Sequence, residues 1–309
     1  MKIPLSVLGL LLAFALTGGS AQAKPCVPTV VGHLEIVPLV SRVFHNSRKL
    51  RVWLPPGYDK VANAKKKYPV LYVLDGASAF DACTAFRHEE LGLDEVLTRL
   101  ITSGKIPPVI AVGIDNGSDA AGHSNDMTGA RAREYLVYPD PTDPELQEVH
   151  GDLMPAFLEQ DVMPVVAAKF RALEGPSNST LWGSSYGGAA TLAVAMRCPF
   201  LFDSVIIESP AIQIGNNQLL RDSTLLLITP KNIALGVGTA ERPVGSPDAA
   251  AIDARIVRDM KFLAANFKGG APPANVQLTI AKGAHHTAVD IGKRLPADLL
   301  FIYGAPPSK

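Results

Sequence analysis

Two patterns of apolar positions alternate along the chain. Mainly apolar runs of five to seven residues occur at Tyr68-Pro69-Val70-Leu71-Tyr72-Val73-Leu74, Pro108-Val109-Ile110-Ala111-Val112-Gly113-Ile114, Ile233-Ala234-Leu235-Gly236-Val237 and Val276-Gln277-Leu278-Thr279-Ile280. Shorter ones lie at Thr180-Leu181-Trp182 and Ser204-Val205-Ile206-Ile207. Such runs suit strands buried on both faces of a sheet. Leu50-Arg51-Val52-Trp53-Leu54 instead alternates and stops at Pro55-Pro56-Gly57. Between these runs the apolar residues recur at helical spacing. Residues 91–102 carry Leu93, Val96, Leu97 and Leu100, residues 152–173 carry Phe157, Val162, Val166 and Phe170, and residues 251–267 carry Ile252, Ile256, Met260 and Leu263. Strands separated by helices predict right-handed crossovers and a sheet covered on both sides. An antiparallel hairpin is expected around Val43 and Leu50, turning near Asn46-Ser47. The expected class is α/β, with a mixed, mostly parallel sheet. In such folds ligands bind beyond the carboxyl ends of the strands, so the chemistry should follow strands directly.

The first residues stand apart from this rhythm. Lys2 is followed by a nearly unbroken apolar run over 5–16 and then by Ala21-Gln22-Ala23. That charged, apolar, small-x-small layout predicts a cleavable export signal over residues 1–23, with Lys24 as the mature start. The run is shorter than the ~20 residues a spanning helix needs, so no membrane span is expected after cleavage. Residues 24–309 show no repeat, low-complexity linker or second long apolar run, and are read as one periplasmic or secreted catalytic domain. Lys and Arg total 29, as do Asp and Glu, which leaves no charge excess of the kind nucleic-acid partners require. Oligomeric state is not encoded in these patterns. The cysteines, Cys26, Cys83 and Cys198, allow one disulfide in an oxidising compartment, with the pairing open. None has metal-ligand spacing, and no metal is expected.

Gly183-Ser184-Ser185-Tyr186-Gly187 follows the run at 180–182 and precedes Gly188-Ala189-Ala190. A G-x-S-x-G turn between strand and helix exposes a serine hydroxyl on a strained backbone, which demands small neighbours. A plain glycine-rich turn is the bland alternative, and the strand before and small-residue helix after favour a nucleophile at Ser185. A serine hydroxyl needs a base. In nucleophile-acid-base chain order only His285 and His286 follow Ser185, both in the loop after the run ending at Ile280. The acid should follow the preceding strand. Glu241, beyond Gly238-Thr239-Ala240, and Asp248, in a Ser-Pro turn, are the candidates, against the alternative that each is a surface charge or helix cap. Oxyanion donors are expected at the amides of Tyr186, next to the serine, and of Ala77, where Asp75-Gly76-Ala77 follows an earlier strand.

With these residues in view, the chain resembles the esterase family of α/β-hydrolases that includes esterase D, enterochelin esterases, feruloyl esterases and mycobacterial mycolyltransferases. Leu54-Pro55-Pro56-Gly57-Tyr58 and the run ending Leu74-Asp75-Gly76 are similar to its opening signature. Cys198-Pro199-Phe200, Glu208-Ser209-Pro210 and Gly283-Ala284-His285-His286 are similar to later segments, the last selecting His286 as the base. The resemblance implies an α/β-hydrolase fold, a small-molecule ester substrate, an acyl-serine intermediate and no cofactor. Arg131-Ala132-Arg133-Glu134-Tyr135 resembles a segment of the siderophore-esterase branch, which implies Arg131 and Arg133 as binders of anionic substrate oxygens. In that branch the acid can be missing, so a Ser185–His286 dyad stands beside the triad with Glu241. A siderophore ester is the first substrate reading, a feruloyl or acetyl ester of carbohydrate the second, and acyl transfer the third. A non-catalytic ligand-binding module is the competing class.

Overall fold

The computed structural model describes residues 26–117 and 129–304, apart from 227 and 244. The export signal expected over 1–23 lies outside them. Eight strands form one sheet: β1 (His33–Val40), β2 (Ser47–Leu54), β3 (Val70–Leu74), β4 (Ile110–Ile114), β5 (Ser179–Ser184), β6 (Ser204–Glu208), β7 (Asn232–Ala240) and β8 (Asn275–His285). Their order is β1-β2-β4-β3-β5-β6-β7-β8. The β1–β2 and β2–β4 pairs are antiparallel, and every pair from β4 to β8 is parallel. This is the mixed, mostly parallel sheet that the apolar pattern predicts.

The two-residue period of a strand divides each apolar run between two cores. Val70, Tyr72 and Leu74 enter one cluster with Leu181, Val205 and Ile207, while Leu71 and Val73 enter another with Trp182 and Ile206. Helix α1 (Leu93–Thr102) covers the second cluster with Leu93, Val96 and Leu97. Helix α2 (Gly129–Tyr135), the pair α3 (Met154–Phe157) and α4 (Met163–Lys169), α5 (Tyr186–Arg197) and the long α6 (Ala249–Lys268) bury residues in the first. Between α3 and α4 the backbone takes a π turn over Leu158–Val162. Pro164, in the first turn of α4, has no N–H to return to the preceding turn, so the register opens there. No helix among the described residues is long and apolar enough to cross a membrane.

Two sequence expectations are corrected. The first strand lies at His33–Val40, not around Val43, because the following turn is captured by buried Asp161. Its carboxylate accepts the Ser41 hydroxyl at 2.8 Å and the amides of Arg42 and Val43 at 3.0 and 3.2 Å. Strand β8 continues past Ile280 to His285, pairing with a β7 that itself runs to Ala240 through a register shift at Gly238/Ala240. Cys26 and Cys83 form the disulfide and Cys198 is free, which resolves the open pairing.

The turn after β3 sits directly on β4. A Cβ added at Gly76 would lie 2.4 Å from the Gly113 carbonyl carbon and 2.5 Å from the Ile114 nitrogen, both backbone atoms that cannot swing away. Gly76→Ala is expected to cost about 1–3 kcal/mol through overpacking. Urea unfolding should show this as a lower midpoint at unchanged slope.

Candidate active site

Ser185 caps α5 with φ 57° and ψ −121°, a conformation that L-residues rarely adopt. Its neighbours make the turn possible. A Cβ on Gly183 would fall 2.1 Å from the Gly187 carbonyl oxygen, and one on Gly188 2.9 Å from that of Glu208. Backbone bonds clamp the serine on both sides. Its amide donates to the Glu208 carbonyl at 3.0 Å, and its own carbonyl accepts from Ala189 at 3.0 Å and Ala211 at 2.9 Å.

His286 follows β8, and its Nδ1 lies 2.5 Å from Oε2 of Glu241. The other oxygen of Glu241 accepts the Gly238 amide at 2.5 Å and the Ser209 hydroxyl at 2.7 Å. Burial opposes ionisation of Glu241, but its bonds to His286, Ser209 and Gly238 outweigh that and hold the carboxyl below its ordinary range. With the carboxylate accepting at Nδ1, the imidazole carries its hydrogen there and keeps Nε2 as the acceptor. The two other candidates at these positions make no bond to the Glu241–His286 pair among the described residues, although His285 lines the same cavity. Asp248 is exposed at the start of α6 and makes no capping bond, and His285 pairs with Asp290. Of the alternatives left open by sequence, Glu241 and His286 are the ones brought together.

Ser185, Tyr186, Glu241 and His286 line one cavity of about 570 Å³, with Arg87 and Arg242 also on its wall. A cavity of similar size, about 560 Å³, lies at Trp53, Pro55 and Tyr58, and none of these candidates lines it. Tyr186 opens α5, and Ala77 lies buried in the short turn Gly76–Ser78 that follows β3. Neither the Ala77 nor the Tyr186 amide donates to another group among the described residues, so both are free to meet an oxyanion. Among the described residues no three His, Cys, Asp or Glu side chains converge as a metal site.

The reading of Arg131 as a substrate binder is corrected. It is 1% exposed, and its guanidinium is spent on Asp75 through two bonds of 2.6 Å. Burial disfavours its charge, but Asp75 more than offsets this and raises the guanidinium further above its usual range. The same carboxylate accepts from Asn116 at 3.1 Å, and the Asp75 amide donates to the Tyr135 hydroxyl at 3.1 Å. Arg131 therefore anchors the turn that carries Ala77, and its planar group lies 5.1 Å from the Tyr186 ring. Arg133 is half-buried and does not line the Ser185 cavity.

Sequence reasoning missed the support beneath the acid. Arg294 donates to Ser209 at 2.9 Å and, through Nε at 2.5 Å, to Glu208, so Ser209 relays a buried guanidinium to Glu241. Asp298, against Glu208, is pushed well above its ordinary value by burial and by that neighbouring carboxylate. Glu208-Ser209-Pro210 was visible as a segment, but nothing in the chain tied it to Arg294.

A family model described as "Putative esterase" matches residues 41–300. The chain belongs to this esterase family. It is 27% identical over 172 residues to an endo-1,4-beta-xylanase/feruloyl esterase of Xylanibacter ruminicola, covering 55% of this chain and 20% of that protein. It is 23% identical over 182 residues to a siderophore triacetylfusarinine C esterase of Aspergillus fumigatus, covering 59% of this chain and 57% of that one. The chain thus spans well under two thirds of each of these relatives. Siderophore hydrolase EstB from Aspergillus nidulans shares its fold, with TM-score 0.68, 20% identity, and coverage of 91% of this chain and 99% of that one. The fold is that of the α/β-hydrolases.

Two outcomes follow for this esterase scaffold. Arg131→Met strands a buried carboxylate and should cost about 3–5 kcal/mol, with part of the loss recovered in Asp75→Asn/Arg131→Met. Urea midpoints of the three proteins check this. The second concerns pH. A carboxyl held below its ordinary 4.5 binds protons more weakly folded than unfolded, so its stabilisation is complete above that value. It drains away as pH falls through the lower folded value. The stability advantage of the wild type over Glu241→Gln should therefore shrink on acidification from about pH 6 to about pH 3, read by urea unfolding.

Proposed function

We propose that the chain is a serine carboxylic-ester hydrolase that works through an acyl-serine. The observation that carries this reading is the shared cavity. It holds a serine at a strained strand-to-helix turn and an imidazole whose far nitrogen is oriented by a buried carboxylate. In the proposed reaction, Nε2 of His286 takes the Ser185 proton as Oγ attacks the ester carbonyl. The amides of Ala77 and Tyr186 receive the oxyanion, and Glu241 stabilises the imidazolium. Collapse expels the alcohol, protonated by His286. Water then enters by the same base, releasing the acid and free serine. No cofactor takes part in these steps.

The similar proteins suggest the ester. One is named for a siderophore and the other for a feruloyl ester, and a siderophore-like ester is our first reading, a carbohydrate-linked ester the second. The competing non-catalytic module explains neither the strained serine nor the free amides. Residues 1–23 are read as an export signal and 24–309 as one esterase domain, periplasmic or secreted. The charged-apolar-small layout of the N-terminus and the Cys26–Cys83 disulfide support this.

A fluorophosphonate probe should label the wild type and not Ser185→Ala. Absence of labelling on the folded wild type would overturn the enzyme reading. On p-nitrophenyl esters, Ser185→Ala and His286→Ala should lose about 10⁴-fold or more in kcat, and Glu241→Gln about 10³–10⁴-fold. Asp248→Asn should stay within about twofold, as expected of an exposed residue away from the imidazole. A collapse in Asp248→Asn alone would move the acid.

A further inference from the structure

The cavity carries charge that the proposed steps leave unused. Arg87 and Arg242 both line it, and neither forms an ion pair or side-chain hydrogen bond among the described residues. The carboxylate on the wall is Glu241, already engaged by His286, Ser209 and Gly238, and His285, also on the wall, pairs with Asp290. Two guanidinium groups with no carboxylate partner among the described residues therefore share a wall that mixes polar residues such as Gln213 and Thr287 with apolar ones such as Pro210, Ile214 and Ile256.

The chain goes to some length to hold Arg87 there. Arg87 and His88 are consecutive residues with φ of 56° and 58°, a strained pairing that persists only where surrounding contacts impose it. Those contacts are present. The loop is tied by the Cys26–Cys83 disulfide, by the Thr84 hydroxyl on the Ala77 carbonyl at 2.7 Å, and by the His88 amide on Ala85 at 3.1 Å. The same loop therefore carries the candidate oxyanion amide at one end and Arg87 at the other. Arg242 comes from the opposite side, next to Glu241. Its backbone is fixed by the Asp253 carboxylate at 3.0 Å, and that carboxylate takes the amide and leaves the guanidinium free.

We propose that Arg87 and Arg242 form an anion-recognition pair, so that the substrate is an ester bearing a second, negatively charged oxygen group, a carboxylate. A guanidinium presents forked donors that match planar oxyanions. This rests on the esterase reading of the Ser185 cavity.

The test compares matched esters under low salt. Mono-(4-nitrophenyl) glutarate is set against 4-nitrophenyl butyrate, and 3-acetoxybenzoate against 3-acetoxybenzamide, so that the charge lies on the acyl side in one pair and on the alcohol side in the other. At least one anionic ester should exceed its neutral partner by roughly tenfold in kcat/KM, the size expected of a charge-assisted hydrogen bond. The preference should shrink as ionic strength rises to about 0.5 M, where screening shortens the reach of exposed charges. Arg87→Gln/Arg242→Gln should bring that ratio close to one, and Arg87→Lys/Arg242→Lys should retain part of it. Turnover of all four esters with no charge preference overturns this inference alone, as does a preference that survives in the double Gln variant. Turnover of none overturns the esterase reading and this inference with it.

Discussion

The backbone at Ser185 is the constraint around which the rest of the site is arranged. A serine at φ 57° and ψ −121° costs on the order of 1–3 kcal/mol, which other contacts must offset. They do so by making the turn the only one that fits. Gly183 and Gly188 leave room for carbonyls that a methyl group would strike, while Glu208 and Ala211 bond the serine backbone from the neighbouring strand end. The reward of this geometry is chemical. The hydroxyl stands clear at the top of β5, and the first amides of α5 turn toward the same space.

Around this turn the carboxyl ends of the strands are stitched together by buried charges. Asp75 after β3 binds Arg131, Asp115 after β4 binds Arg51 and Glu208 ending β6 binds Arg294, while Glu241 after β7 accepts a hydrogen bond from the His286 imidazole. Buried ion pairs are poor sources of net stability, because desolvation cancels most of the attraction. Their value here is positional. Each converts a loop, which would otherwise sample many conformations, into a fixed support for one functional group. Asp75 and Arg131 hold the Ala77 turn, and Arg294 holds Ser209 against Glu241. The relay also explains how a deeply buried Glu241 stays ionised: three donors meet it in place of water.

Charge that is left over is equally informative. Arg131 is buried and consumed, whereas Arg87 and Arg242 pair with no acid among the described residues and line the cavity. Both kinds of arginine look the same in a linear chain. The difference lies in whether a carboxylate from another part of the fold reaches the guanidinium before a substrate can.

Much of the architecture was legible in the chain because it is written in local patterns. Short apolar runs at Val70–Leu74 and Ile110–Ile114, bounded by turn residues, suit strands buried on both faces, and periodic segments such as that of α6 suit covering helices. The G-x-S-x-G turn was readable for the same reason, since its sterics are settled within five residues. The extent of β8 and the position of the first turn were not, because the pairing of His285 with Ala240 and the capture of Ser41 by Asp161 depend on partners 45 and 120 residues away. Choosing Glu241 over Asp248 and placing Arg131 inside were likewise matters of three-dimensional proximity. The chain by itself determined which residue types could do chemistry and in what order they follow strands. Only the folded structure decided which charges meet, because a long-range contact is set by packing and carries no signature in the residues between.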